Sequence, residues 1–191
     1  MDGYPAHLAP ELNDDGGVLT PFEEWWPKVR HAFPNVPEEV ARYWLHEHWR
    51  YSPYGWLPSA DYQFQITRWP TKELFNIRSG WCNFSTDSTE CYDHGKSLYH
   101  DYTVNSAWPY KTVSYMSEHG NFPTPIIILD NCDGHLVSGV PPVPSNEQLP
   151  AAFVLVEGHR RFNLALYLQS IGKMRDEVDV WLMTRVNSRS S

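Results

Sequence analysis

The clearest structural pattern in the chain lies in residues 153–170, FVLVEGHRRFNLALYLQS. Its first four residues are all apolar, which is typical of a strand that is covered on both faces of a sheet. Gly158 ends this run, and the residues after it predict a helix over 159–170 with a wide apolar face. A further apolar run at 178–183 predicts a strand. Strand, helix and strand together predict a βαβ unit with a right-handed crossover.

Residues 125–129, PIIIL, form a second continuous apolar run and predict another buried strand. A helix is predicted over 110–119, because its apolar residues share one face and a glycine follows it. Residues 131–134, NCDG, have the composition of a turn, and residues 135–137 predict a strand that returns antiparallel. The last third of the chain therefore predicts an α/β domain.

The N-terminal third is organised differently. Residues 1–19 are rich in Pro, Gly, Asn and Asp and predict a flexible leader. Residues 20–60 predict a helical extension with one helix over 20–33, capped by Thr20, and a second over 37–50. A Pro-rich break between these helices predicts a helical hairpin. Residues 61–191 then form the predicted main domain.

Between these parts the patterns are weaker. Residues 62–66 alternate apolar and polar side chains, which predicts a half-buried strand. Thr71 predicts the start of a helix that ends at Gly80. Residues 81–103 are polar and aromatic without periodicity, and no element is predicted there.

Composition excludes several classes of protein. The chain has 191 residues, of which 41% are hydrophobic, so it can form a core and is not a disordered protein. Its net charge of −8 excludes bulk electrostatic binding to nucleic acid or to an anionic membrane. No apolar run approaches the roughly 18 residues of a membrane span, and the N-terminus does not resemble a signal peptide. Three cysteines do not predict a disulfide framework. We therefore expect a soluble, cytoplasmic protein.

The turn from strand to helix at Gly158 is the candidate anion site. The first N–H groups of a helix are unpaired and carry the positive end of its dipole, which favours a phosphate. Gly158 lets a ligand approach the backbone closely. Arg160 and Arg161, the first basic residues after Lys111, can add bidentate contacts. The alternative left open is an ordinary helix start whose arginines pair with surface carboxylates.

Residues 125–129, 153–168 and 178–183 resemble the ParB/sulfiredoxin superfamily. Its members have a PIIV strand, a phosphate-binding turn of the type GERRxRA or GCHRYEA, and a closing strand. Here residues 158–165 read GHRRFNLA, in which Gly158 and Arg161 match both forms and Arg160 matches the ParB form. The resemblance covers residues 100–185. It implies a mixed-sheet α/β fold of the ParB/sulfiredoxin type that carries the N-terminal helical hairpin.

Across the whole chain, including the Trp-rich hairpin, the sequence is similar to plasmid fertility-inhibition proteins with oncogenic suppression activity. This resemblance implies ATP hydrolysis, a DNase activity and a block on the transfer of T-DNA or a competing plasmid by type IV secretion. It implies ATP, transferred DNA and a type IV secretion component as partners, and the bacterial cytoplasm as the location.

Six residues are candidate ATP ligands or catalytic groups: Glu157, Gly158, His159, Arg160, Arg161 and Asn163. We hypothesise that the ATP phosphates lie over the glycine and that the two arginines neutralise charge during phosphoryl transfer. The glutamate can position water or Mg²⁺, and the histidine can act as general acid or base. Because His159 stands where sulfiredoxin has its catalytic cysteine, sulfiredoxin chemistry is not expected. The alternatives are a surface-paired Glu157 and a His159 that only caps the helix.

Asp130, Asp133 and His135 are candidate ligands of a divalent cation used in DNA cleavage. The alternative is a plain turn, since Asp and Asn favour turns. A structural zinc site is not expected, because Cys82 and Cys91 lack a paired Cys-x2-Cys spacing.

Two rival functions remain open. One is a binding-only inhibitor of the transfer apparatus that uses exposed aromatic residues near 51–56. The other is a small-molecule phosphotransferase. DNA, if bound, is expected at basic residues of the C-terminal part: Lys173, Arg175, Arg185 and Arg189.

Overall fold

The structure is a computed structural model that describes residues 4–52, 54–57, 59–104, 111–136 and 149–186. Its helices are α1 (Phe22–Val29), α2 (Glu38–Val40, continued by a π-helix over Ala41–His46), α3 (Thr89–Val104), α4 (Lys111–His119) and α5 (His159–Ser170). Its strands are β1 (Tyr62–Pro70), β2 (Arg78–Ser79), β3 (Ile126–Asp130), β4 (Phe153–Glu157) and β5 (Glu177–Arg185).

The five strands form one mixed sheet in the order β1-β5-β3-β4-β2. Strands β3 and β4 are antiparallel, and Asp130 faces Phe153 across the pair. Strands β2 and β4 are parallel, and Ser79 faces Leu155. The predicted α/β class with a mixed sheet is therefore confirmed. Helix α5 connects β4 to β5 as predicted, but β3 lies between these two strands in the sheet.

The described residues divide into two compact units. The first contains residues 4–64, 136 and 183–186, and the second contains residues 65–135 and 149–182 with the gaps given above. In the first unit the ring of Trp25 lies 5.2–6.4 Å from the rings of five neighbours: Phe22, Trp26, Phe33, His46 and Trp49. Residues from the predicted leader belong to this unit, because Leu8 is buried and its carbonyl accepts a hydrogen bond of 2.8 Å from Trp25 Nε1.

The core of the second unit is built on β3 and β4. Ile126, Ile128 and Leu155 are fully buried and pack with α5. The intervening residues Ile127 and Leu129 are also buried, which confirms the predicted burial of β3 on both faces. Helix α3 crosses α5 at Gly95, where a Cβ atom would lie well inside van der Waals distance of the backbone of Asn163. The crossing thus depends on the absence of a side chain at this position.

Several predicted elements are wrong in their bounds. Thr20 does not cap α1, because its hydroxyl accepts a hydrogen bond from the Glu11 amide and Pro21 takes the N-cap position. The helix predicted over 37–50 ends at His46. In place of the helix predicted over 71–80, a short 3₁₀-helix spans Thr71–Asn76, and Arg78 and Ser79 pair with β4 as strand β2.

Two further differences concern segments without a strong apolar pattern. Residues 89–103, for which no element was predicted, belong to α3, in which only Cys91 and Gly95 are buried. His135 and Leu136 lie outside any strand, and residue 137 falls outside the described residues. The predicted antiparallel pairing of β3 with the residues that follow its turn is thus replaced by antiparallel pairing with β4.

Candidate functional site

The turn between β4 and α5 is built around Gly158. Its φ angle is +94°, in the left-handed region where a Cβ atom is strained. A Cβ atom there would also lie 2.5 Å from Cγ2 of Ile126, the first residue of β3. No side chain caps α5 within the described residues, and its first intrahelical bond runs from the Phe162 amide to the Gly158 carbonyl. The first-turn N–H groups therefore have no acceptor within the helix.

Parallel pairing brings Trp81 to this turn. Since β2 and β4 run in the same direction, their carboxyl ends meet at one edge of the sheet. Trp81 follows β2, and His159 follows β4. Their rings stack with centroids 4.8 Å apart and an angle of 20° between the planes.

The short turn that carries Trp81 is held at both ends. Ser79 Oγ accepts a hydrogen bond from the Trp81 amide, and the Ser79 carbonyl accepts one of 2.9 Å from the Phe84 amide. Cys82 is joined by a disulfide to Cys91 on α3. These contacts fix the backbone on either side of the indole.

Arg161 makes two contacts that tie the turn to the sheet. One guanidinium nitrogen, Nη2, donates a hydrogen bond to the carboxylate of Glu157, and Nη1 donates one of 2.7 Å to the carbonyl of Thr124. The side chains of Arg161 and Glu157 are only 13% and 14% exposed. Of the two arginines that were predicted to bind phosphate, Arg161 therefore already has partners within the protein.

Arg160 and Asn163 have very different surroundings. Arg160 is exposed, and among the described residues its guanidinium forms no ion pair. Asn163 is 1% exposed, and neither its Oδ1 nor its Nδ2 has a hydrogen-bond partner. Leaving such an amide unpaired costs about 1–3 kcal/mol, so it needs an explanation.

The candidate metal ligands lie elsewhere. Asp130 pairs with Phe153 at the start of β4, four residues from Glu157, so the two ends of the ladder are roughly 13 Å apart. Asp130 accepts a hydrogen bond from the Cys132 amide, and Asp133 accepts one of 2.5 Å from Nδ1 of His135. The hydrogen bond from His135 lowers the pKa of Asp133. These contacts are those of a turn held by its own side chains.

Among the described residues, no group of three or more His, Cys, Asp and Glu side chains is placed to hold a metal ion. Cys82 and Cys91 are oxidised to a disulfide, in which form they are not thiolate ligands. The sequence analysis predicted no disulfide framework from three cysteines. The structure nevertheless has one disulfide, between Cys82 and Cys91, and the third cysteine, Cys132, is a free thiol.

The described basic residues of the C-terminal part belong to both units. Lys173 donates a hydrogen bond of 2.9 Å to the hydroxyl of Tyr99 and lies in the second unit, as does Arg175. Arg185 is exposed in the first unit, and Arg189 lies outside the described residues.

Comparison with protein-family models, with curated proteins and with solved structures finds no match to this chain. Within the described residues, none of the helices has the length and apolar character that crossing a membrane requires.

Sequence reasoning found the Gly158 turn but missed Trp81. The tryptophan follows a two-residue strand in a segment without periodicity, and its partner His159 is remote in sequence. The one available signal was the placement of a large aromatic residue between Gly80 and Cys82 in a polar stretch.

Proposed function

We propose that this chain is a nucleoside triphosphate hydrolase of the ParB/sulfiredoxin type that binds ATP at the Gly158 turn. The observation that carries the proposal is the left-handed glycine that ends β4 and opens α5, with an exposed Arg160 in the first turn of that helix, whose amides have no acceptor within the helix. Backbone donors, a helix dipole and an exposed cation converge there, which is the chemistry that phosphate oxygens require.

In the proposed reaction a water oxygen attacks the γ-phosphorus of ATP. The bond from that phosphorus to the β,γ-bridging oxygen breaks, and ADP and inorganic phosphate are released. Arg160 neutralises the charge on the phosphate oxygens, and His159 accepts the proton of the water. Glu157 orients the water, while Arg161 acts as a positioning residue that fixes the Glu157 carboxylate.

Mg²⁺, when bound, supplies further neutralisation of the phosphate charge. The described residues offer no cage of three or more ligands, but Mg²⁺ in phosphate sites is commonly held by one or two carboxylates together with phosphates and water. Glu157 is the nearest carboxylate to the turn in sequence and fits that limited role.

DNA cleavage, in this proposal, takes place at a separate site. Asp130, which begins the turn that carries Asp133 and His135, lies at the opposite end of the β3–β4 ladder from Gly158, and among the described residues these three form no group placed to hold a metal. The two activities together would act against the transfer of T-DNA or a competing plasmid by type IV secretion.

The test of the proposed function is phosphate release from ATP and Mg²⁺ by the full chain. We expect Arg160→Ala to lower turnover about a hundredfold, as for removal of one group that stabilises developing charge. Arg30→Ala removes another exposed arginine, from the first unit, and is expected to have no effect. Turnover by Arg160→Ala at the rate of the wild type would contradict the proposal. Transfer of the γ-phosphate of ATP to an acceptor molecule, in place of release as inorganic phosphate, would indicate a phosphotransferase.

One observation favours a binding-only inhibitor as the second candidate. The guanidinium of Arg161 is already engaged by Glu157 and Thr124, so the turn can be stable without a ligand. For this alternative we expect no phosphate release from the wild-type chain, together with full inhibition of plasmid transfer in cells.

A further inference from the structure

We infer that Trp81 is the base-stacking surface of the nucleotide site at the Gly158 turn. The inference rests on the proposed function, which it deepens by naming the residue that recognises the base. It is drawn from the ring stack of Trp81 on His159, the exposure of the indole and the unpaired amide of Asn163.

Trp81 differs from the other tryptophans of the described chain. It is 51% exposed, whereas each of the others there is buried or half-buried. A half-exposed indole keeps a large apolar area in water, and such surfaces are typical of binding sites for flat apolar groups. The ring of His159 lies against one face, and the exposed half of the residue remains available to a second ring.

The indole is also held in place before a ligand arrives. Its own amide is bound by Ser79 Oγ, and the next residue, Cys82, is tied to α3 through Cys91. A ring whose backbone is fixed loses little conformational freedom on binding, which favours affinity.

His159 connects the stacking surface to the phosphate turn. Its ring supports the indole, while its backbone is the first residue of α5 and contributes one of the helix-terminal amides. A base on Trp81 and phosphates at the first turn of α5 would therefore contact neighbouring parts of one continuous surface. This arrangement fits a nucleotide better than an isolated phosphate.

Asn163 provides an independent sign that a polar group enters this region. It lies four residues after His159 and hence on the same face of α5. Helical side chains tilt toward the N-terminus of their helix, which in α5 is the end that carries the Gly158 turn. A fully buried amide with neither of its polar atoms paired leaves a donor and an acceptor for a ligand or for a water that a ligand retains.

The inference is tested by calorimetric titration of the full chain with the Mg²⁺ complex of a non-hydrolysable ATP analogue, in which an imido group replaces the β,γ-bridging oxygen, and separately with inorganic tripolyphosphate. We expect Trp81→Leu to weaken binding of the ATP analogue about tenfold, the usual range for loss of one base–aromatic stack, and to leave tripolyphosphate binding unchanged. Trp81→Phe should restore most of the affinity for the ATP analogue. Tyr115→Leu is the matched control, since Tyr115 is an exposed ring that pairs with a different histidine, His119 on α4.

The outcomes separate the two proposals. If wild type and Trp81→Leu bind the ATP analogue equally, the stacking role is wrong while the phosphate turn stands. If Trp81→Leu weakens binding of tripolyphosphate as much as that of the ATP analogue, the residue supports the turn and does not bind the base, which also overturns the inference. If the wild type binds neither probe, both the inference and the proposed function fail.

Discussion

Arg161 and Glu157 form an ion pair across one turn of chain, between the end of β4 and the start of α5. The same guanidinium binds the carbonyl of Thr124, which precedes β3. Three parts of the second unit are thus joined by one side chain: the last residue of β4, the first turn of α5 and the approach to β3. Arg161 therefore stabilises the turn, whereas the neighbouring side chain of Arg160 is exposed.

We predict that Arg161→Ala destabilises the chain by about 3 kcal/mol, because it removes the guanidinium that pairs with the largely buried Glu157 carboxylate. The measurement is the free energy of unfolding in urea at neutral pH. Combining Arg161→Ala with Glu157→Gln should recover part of the lost free energy of unfolding, since the negative charge of the carboxylate is then removed.

Arg160→Ala is the matched control for this prediction. Its side chain is exposed and the change should alter the free energy of unfolding by no more than about 0.5 kcal/mol. Equal stability of the Arg160→Ala and Arg161→Ala variants would show that the ion pair contributes little to the fold.

Gly158 is predicted to be intolerant of a side chain. Gly158→Ala combines a strained φ of +94° with a clash against Ile126, and we expect a loss of about 3 kcal/mol. Gly172→Ala isolates the strain, because Gly172 has a φ of +70° and nothing lies within 4 Å of a Cβ atom there; its expected cost is about 1 kcal/mol. Thermal unfolding of both variants gives the comparison, and similar melting temperatures would argue against close packing at the turn.

The Cys82–Cys91 disulfide is predicted to stabilise the turn that carries Trp81. The two residues are nine apart in sequence, and closing a loop of that length contributes about 3 kcal/mol in the chain-entropy description. Urea unfolding of the oxidised chain and of a Cys82→Ala/Cys91→Ala variant measures the difference. In denaturant without reductant, thiol titration should find one thiol per chain, and finding three would show that the bridge does not form.

Sequence patterns predicted the elements whose burial is regular. Strands β3 and β4 are short apolar runs, and α5 begins directly after a glycine, so their bounds follow from the chain itself. Helix α3 escaped prediction because it contacts α5 through Gly95 and buries little apolar side chain, which leaves no helical period in the sequence.

The candidate site could be predicted only where its residues are adjacent in the chain. The Gly158 turn is such a local feature. The approach of Trp81 to His159 depends on parallel pairing between β2 and β4, and β2 has only two residues and no pattern of its own. The partners of Arg161 were also open, because sequence alone does not choose between a phosphate, Glu157 and a surface carboxylate.

Cys132 is predicted to be a slow nucleophile although the residue is exposed. Partial burial of its sulfur, a hydrogen bond to Asp130 and the nearby charge of Asp133 raise the pKa of the thiol to about 11. Because the thiolate is the reactive form, alkylation by iodoacetamide should rise about tenfold per pH unit up to that pKa. At pH 8 it should be about a hundredfold slower than for an unperturbed thiol, whose pKa is about 8.5.

The measurement needs the oxidised chain, so that Cys132 is the one thiol that reacts. Asp130→Asn removes the neighbouring charge and keeps an acceptor for the Cys132 amide, so we expect the midpoint of the alkylation profile to move to lower pH. Asp87→Asn removes a carboxylate from the loop before α3 and should leave the profile unchanged. A rate that reaches its plateau near pH 9 in the wild type would show that Asp130 does not control the thiol. Neither burial of the sulfur nor the carboxylates of the turn after β3 would then raise the pKa of this thiol.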